Sequence, residues 1–132
     1  MTRTYTILVV DDDHDDQQFF SEALQAQSSV TYSLKSVHNG RQALEYLATG
    51  VVPDFIVLDL NMPVLDGHSL LKILNLSPAY RHIPVFVLTT SSVESDIMKC
   101  KQMGCRRFFT KPVALSDLVV IAGEMLRLIR CG

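Results

Sequence analysis

Residues 7–16 read ILVVDDDHDD, an apolar run that is followed by five aspartates within six positions. An uninterrupted aliphatic run of this length is typical of a strand that is buried on both faces of a parallel sheet. The aspartates then fit two hypotheses. They form a solvated acidic turn, or some of them hold a cation, and residues elsewhere in the chain must decide between the two.

The size and composition of the chain limit the classes of protein it can represent. At 132 residues with 48% hydrophobic residues, it predicts a single globular domain over 1–132 with no output domain. The net charge of −2 argues against a nucleic-acid binder. No apolar run approaches the roughly 18 residues of a membrane span. With no signal peptide and three cysteines that lack CxxC spacing, we expect a cytoplasmic protein that does not associate with membranes.

Short apolar runs alternate with amphipathic stretches five times along the chain. Four of the runs lack polar alternation, and the exception, TYSLKSV at 31–37, alternates as an edge strand does. This pattern predicts an α/β domain of (βα)5 type, with a five-stranded parallel sheet and helices on both faces. The predicted strands are Thr6–Val10, Tyr32–Val37, Phe55–Leu58, Val85–Leu88 and Arg107–Thr110.

Chemically active residues follow four of these strands. Because the carboxyl ends of parallel strands meet at one edge of a sheet, we expect the residues that follow them to lie together. Like charges about 4 Å apart repel by roughly 4 kcal/mol at an effective dielectric near 20, so clustered carboxylates favour a hard cation such as Mg²⁺. A lysine beside that cation suits a transferred phosphoryl group, and a carboxylate can accept it as an acyl phosphate. The residues are Asp11 and Asp12, then Asp59, then Thr89, Thr90 and Ser91, and finally Lys111.

Four motifs carry a resemblance to a known family over essentially the whole chain. They are ILVVDDD, VLDLNMPVLDG, PVFVLTTS and FFTKP, in that order and at family-like spacing. The chain resembles the receiver (response-regulator) domains of bacterial two-component signalling. Within that family it is most similar to stand-alone receivers such as those paired with bacterial phytochromes. The resemblance implies a flavodoxin-like doubly wound sheet with strand order 2-1-3-4-5.

The resemblance also implies a role for each matching residue. Asp59 would be the phosphoacceptor in a Mg²⁺-dependent reaction. Asp11, Asp12, Asp59 and the backbone carbonyl of Asn61 would bind the metal. Lys111 would pair with the phosphoryl group, and it would be joined to Pro112 by a cis peptide bond. Thr89 and Phe108 would form the conformational switch, and Asn61, Thr90 and Ser91 would tune the lifetime of the acyl phosphate.

The implied partners are proteins. A sensor histidine kinase would donate the phosphoryl group in a phosphorelay, and a downstream protein target or a phosphotransfer protein would read the switched face formed by helix four, strand five and helix five. The domain would be a phosphoacceptor rather than an enzyme. In this interpretation the acidic cluster divides: Asp11 and Asp12 hold the metal, whereas Asp13 caps the first helix and Asp15 and Asp16 favour its positive end.

Two alternatives remain open from the sequence. A small aspartyl phosphatase of the haloacid-dehalogenase type would use Asp11 and Asp13, whose spacing fits its two aspartates, although the rest of that signature is absent. The last helix carries extra apolar residues and a mid-helix Gly123. Those features fit a homodimer through the helix-four, strand-five, helix-five face, and they fit equally a thickly buried terminal helix.

Overall fold

Each of the five apolar runs forms a strand, and one helix follows each strand. The computed structural model describes residues 3–28 and 30–131. The strands are parallel and lie in the order β2-β1-β3-β4-β5, which confirms the predicted fold class. The elements are β1 (Thr4–Val10), α1 (His14–Gln25), β2 (Thr31–Val37), α2 (Gly40–Ala48), β3 (Phe55–Leu58), α3 (Gly67–Leu76), β4 (Val85–Thr89), α4 (Glu94–Gln102), β5 (Arg107–Thr110) and α5 (Leu115–Cys131).

Side chains that alternate along the central strands build one core on each face of the sheet. In β1, Leu8 and Val10 face the layer of α2, α3 and α4, whereas Ile7 and Val9 face the layer of α1 and α5. Strand β3 is buried on both faces, as its uninterrupted apolar run predicts. Strand β2 lies at the edge and alternates between exposed and partly covered residues, also as predicted.

The helix starts explain the local acidic residues. The Asp13 carboxylate accepts hydrogen bonds from the backbone N–H groups of Asp15 and Asp16, so its predicted role as the N-cap of α1 is confirmed. A capping box formed by Ser91 and Glu94 is the expectation for α4 from sequence spacing, and it is wrong. Helix α4 begins two residues later than that spacing assumes, with Val93 at its N-cap and no side-chain cap. The Ser91 hydroxyl accepts a hydrogen bond from the N–H of Val93 (3.3 Å) and donates one to Asp96 (2.6 Å).

Gly123 in α5 is explained by a contact within the chain. A Cβ atom at Gly123 would lie 3.2 Å from the side-chain oxygen of Gln27. The Gln27 amide crosses from the end of α1 to donate a hydrogen bond to the carbonyl oxygen of Val119 (2.9 Å). Because Gly123 has no side chain, there is room for Gln27 at this position. Gly123 is therefore no longer an argument for a homodimer.

The loop between β3 and α3 is held by two close backbone approaches. The N–H of Gly40 donates to the carbonyl oxygen of Leu65 (3.2 Å), and the N–H of Gly67 donates to that of Leu60 (3.1 Å). A Cβ at Gly67 would lie 2.4 Å from the Asp59 carbonyl oxygen, so only glycine fits there. Val64 in the same loop has a φ of 71°, an unfavourable conformation for a β-branched residue. The path of the chain after Asp59 is thus fixed by backbone contacts.

We expect Gly67→Ala to lower the free energy of unfolding by about 1–3 kcal/mol, because the new methyl group overlaps the backbone of Asp59 and Leu60. Urea unfolding followed by circular dichroism measures the change. Lys72→Ala, at an exposed position of the same helix, is the control and should change stability by less than about 0.5 kcal/mol. Equal stabilities for the two variants would contradict the close approach.

Candidate phosphoacceptor and metal site

Backbone hydrogen bonds continue the sheet one residue past the ends of three strands. The N–H of Asp11 donates to the carbonyl oxygen of Val37 (3.1 Å), and that of Asp59 donates to Val10 (3.0 Å). The N–H of Lys111 donates to the carbonyl oxygen of Thr89 (2.7 Å). These bonds place the two carboxylates and the lysine at one edge of the sheet, as the parallel topology predicts.

The Lys111 ammonium is the centre of this site. It donates to Asp16 (2.7 Å), to Asp11 (2.9 Å) and to Asp59 (3.4 Å). Asp16 lies in the first turn of α1, as predicted, but interpreting it only as a helix-start residue is incomplete because it makes the shortest contact with Lys111. A sequence signal for this existed: Asp16, Phe20 and Leu24 are spaced four residues apart and therefore share one side of α1.

Three of the carboxylates form a set that fits a divalent cation. Asp11, Asp12 and Asp59 each offer an oxygen, and these oxygens lie within 4.8 Å of one another. Asp11 and Asp59 are 6% exposed, whereas Asp12 is exposed and faces solvent from the edge of the cluster. Hard oxygen donors that leave one side open to water suit an ion such as Mg²⁺ or Mn²⁺. Asp13 is not among these three, and its carboxylate caps α1, which argues against its use with Asp11 as the phosphatase alternative requires.

Burial acts in opposite directions on the pKa values of Asp11 and Lys111, and neighbouring charges oppose it in both cases. Burial raises the pKa of Asp11 from 3.8 to about 6, and its hydrogen bonds from Lys111 and from the N–H of Asp13 offset this only in part. Burial would lower the pKa of Lys111, but hydrogen bonds to Asp16 and Asp11 outweigh it, so the pKa lies above its ordinary value. Both pKa values are raised, because burial dominates for Asp11 and the three contacting carboxylates dominate for Lys111.

Thr89 ends β4, the strand next to β3, and is fully buried. Among the residues that the structure describes, its hydroxyl has no hydrogen-bond partner, an unusual state for a buried polar group. The neighbouring Thr90 is exposed. The Ser91 hydroxyl is engaged by Asp96, which in turn contacts His68 of α3 (3.3 Å), so Ser91 ties the loop after β4 to α4 and α3. Among the three hydroxyls, only that of Thr89 is both buried and unpaired.

The other residues expected from sequence lie around this centre. Asn61 is exposed, and its backbone N–H lies 3.4 Å from a carboxylate oxygen of Asp59. Phe108 is half-buried and packs against the core on the α3–α4 face of the sheet. The peptide bond between Lys111 and Pro112 is trans, so the expected cis bond is wrong for this structure.

Gln17 is a buried polar residue that the sequence reasoning missed. Its side-chain amide donates to the carbonyl oxygens of Asp11 (2.7 Å) and Val37 (2.9 Å), at the ends of β1 and β2. Gln17 is three residues before Phe20, so it interrupts the apolar stripe of α1, which is the signal that would have identified it. It fixes the backbone of Asp11 and thereby the position of that carboxylate.

Comparison with known proteins identifies the family. Residues 7–122 match the family described as "Response regulator receiver domain". The chain belongs to this family. Among curated relatives, this receiver domain is 31% identical to the two-component response regulator ORR5 of rice, with 92% of the chain and 88% of ORR5 aligned. It is 30% identical to the response regulator ARR8 of Arabidopsis thaliana, with 93% of the chain covered, and it spans 61% of the length of that relative.

Solved structures of similar receivers share the fold and carry features relevant to the site. The phosphorylated cyanobacterial phytochrome response regulator RcpA is 34% identical, with a TM-score of 0.85 over 93% of this receiver and 91% of RcpA. The Mn²⁺-bound response regulator Rcp1 is 29% identical, with a TM-score of 0.83 over 92% and 91% of the two chains. The similarity to phytochrome-associated receivers noted from sequence is confirmed. In the part of the receiver that the structure describes, no helix is long and apolar enough to cross a membrane.

We expect divalent-cation binding to weaken about tenfold between pH 7.5 and pH 5, because a proton on Asp11, with its pKa of about 6, must leave before the metal binds. Isothermal titration with Mn²⁺ or Mg²⁺ at the two pH values measures this. In Asp11→Asn, residual binding should lose most of its pH dependence. An affinity that is the same at both pH values in the unmodified receiver would contradict the role of Asp11.

We expect Thr89→Val to raise the free energy of unfolding by about 1 kcal/mol, because it replaces an unpaired buried hydroxyl with a methyl group of similar size. Chemical denaturation of the metal-free protein tests this. Thr31→Val, at the exposed first position of β2, is the matched control and should change stability by less than about 0.5 kcal/mol. A loss of stability in Thr89→Val would show that the hydroxyl has a partner in solution.

Proposed function

We propose that this receiver accepts a phosphoryl group from the phosphohistidine of a sensor histidine kinase onto Asp59. The observation that carries the proposal is the fully buried, unpaired hydroxyl of Thr89, at the same edge of the sheet as the buried Asp59 carboxylate and Lys111, whose backbone N–H donates to the Thr89 carbonyl oxygen. A buried donor without an acceptor is unfavourable in the resting protein, and an oxygen of a phosphoryl group on Asp59 would supply the acceptor.

In the proposed transfer, a carboxylate oxygen of Asp59 attacks the phosphorus of the donor phosphohistidine. The new O–P bond forms as the N–P bond breaks, and the leaving imidazole nitrogen keeps the electron pair and takes up a proton. Lys111 and the Thr89 hydroxyl donate to the phosphoryl oxygens, and Asp11 and Asp12 hold the cation. Mg²⁺ is the expected ion, and when bound it offsets negative charge on the transferred group. Asn61 would add its backbone carbonyl as a metal ligand.

The output would follow from the movement of Thr89. When its hydroxyl bonds to the phosphoryl group, space opens beneath the β4–α4 loop, and the half-buried Phe108 ring can turn inward. That change would re-shape the α4-β5-α5 face for a downstream protein or phosphotransfer partner. Thr90, Ser91 and Asn61 would tune access of water to the acyl phosphate, and a homodimer through the same face remains a prediction. Location in the bacterial cytoplasm and the single-domain organisation also stay predictions.

The reaction as proposed makes the receiver a phosphoacceptor and not a turnover enzyme. Each Asp59 accepts one phosphoryl group and loses it by hydrolysis or onward transfer. The aspartyl phosphatase alternative requires Asp11 and Asp13 as a pair, and the occupation of Asp13 at the start of α1 argues against it.

Intact-protein mass spectrometry after incubation with acetyl phosphate and Mg²⁺ tests the proposal. We expect one added phosphoryl group that is absent with a chelator and absent in Asp59→Ala. Asp12→Ala should abolish the Mg²⁺-dependent adduct, because it removes a metal ligand.

Asp15→Ala is the matched control for the loss of one carboxylate. It removes a neighbouring acid of the same loop-and-helix segment with no contact to Lys111, so phosphorylation should persist. An adduct that survives in Asp59→Ala, or rapid turnover of a generic phosphatase substrate, would refute the proposed function.

A further inference from the structure

All of the Lys111 hydrogen-bond capacity is used before any phosphoryl group arrives. An ammonium has three N–H donors, and the contacts at 2.7 Å, 2.9 Å and 3.4 Å to Asp16, Asp11 and Asp59 occupy them. The weakest of the three is the contact with the expected phosphoacceptor. A close bond from the ammonium to a phosphoryl oxygen on Asp59 would therefore compete with the two shorter contacts, to Asp16 and Asp11.

Of the carboxylates that contact Lys111, Asp16 can give up its ion pair at the lowest free-energy cost. Its side chain is 37% exposed, against 8% for Asp11, so water can solvate the Asp16 carboxylate once the ion pair opens. Asp11 cannot be released in the same way, because it is buried beside the metal cluster. A cavity of about 30 Å³ borders Asp16, Asp59 and Lys111, which leaves room for the ammonium to shift between the two carboxylates.

We propose that Asp16 is a positioning residue, which holds the Lys111 ammonium toward α1 in the resting receiver and competes with the phosphoryl group for it. This inference rests on the proposed function, because it assigns to Asp16 the control of phosphoryl affinity at the same site. Phosphorylation opens the Asp16–Lys111 ion pair. The first turn of α1 then loses its link to the end of β5, on the side of the sheet opposite to the α3–α4 layer.

Fluoroberyllate, a mimic of the phosphoryl group, tests the inference in the full chain at saturating Mg²⁺. We expect Asp16→Asn to bind it about fivefold more tightly than the unmodified receiver, because a charged competitor for Lys111 is removed. Asp15→Asn is the matched control, with the same charge change in the same helical turn and no contact to Lys111, and its affinity should stay within twofold. Asp16→Glu keeps a carboxylate within reach and should restore the unmodified affinity.

A second measurement needs no variant. The carbon-13 shift of the Asp16 carboxyl and the nitrogen-15 shift of the Lys111 ammonium should both change when fluoroberyllate binds, and the Asp15 carboxyl should not. An Asp16→Asn affinity equal to that of Asp15→Asn, or an unchanged Asp16 shift, would overturn the inference while leaving phosphorylation of Asp59 intact. No binding to the unmodified receiver and no adduct on Asp59 would overturn the proposed function and this inference together.

Discussion

One ammonium group among three carboxylates determines the arrangement of this site. Lys111 contacts Asp11, Asp16 and Asp59, and Asp12 completes a cluster whose negative charge exceeds the single positive charge. Like charges repel more strongly where burial lowers the effective dielectric constant. The buried carboxylates of Asp11 and Asp59 therefore depend most on the positive charge of Lys111. The raised pKa of Asp11 shows that one ammonium does not compensate for burial. A cation bound by Asp11, Asp12 and Asp59 would reduce this repulsion.

The backbone supplies the rigidity that this charge arrangement needs. Hydrogen bonds from the N–H groups of Asp11, Asp59 and Lys111 extend the sheet beyond its strands, so each reactive residue starts from a fixed backbone position. Gln17 fixes the carbonyl of Asp11, and Gly67 lets α3 approach the carbonyl of Asp59. Rigid elements hold these carboxylates close together although the carboxylates repel one another. The rest of the fold must offset that repulsion.

Features of the fold that follow from repeated sequence patterns could be predicted from the sequence, whereas features that depend on one particular side-chain contact could not. Strand positions, sheet order and the gathering of Asp11, Asp59, Thr89 and Lys111 follow from apolar runs and from the geometry of parallel sheets, and the structure agrees. The capping box predicted for Ser91 and Glu94 was wrong because α4 starts two residues later than the spacing assumes, with Val93 as its N-cap, and a serine hydroxyl near a helix start can bond to several nearby groups. The role of Asp16 was incomplete because the helical spacing that puts it on one side of α1 with Phe20 and Leu24 does not identify its partner, Lys111, which lies 95 positions away.

The excess of negative charge links the two ligands that the site is proposed to bind. A divalent cation reduces the repulsion that a phosphoryl group would meet at Asp59, and a phosphoryl group in turn adds oxygens that attract the cation. Each ligand therefore raises the affinity for the other, and this coupling must be reciprocal. Lys111 alone cannot produce it, since its donors are already bound to carboxylates. Lys111 already contacts Asp59 in the resting receiver, but its shorter contacts are with Asp16 and Asp11, so a phosphoryl group would compete with those two carboxylates for the ammonium. The cation would neutralise Asp11 and Asp12, whereas the ion pair of Asp16 with Lys111 would open only when the phosphoryl group arrives, so metal binding and release of the lysine are separate steps of the proposed reaction.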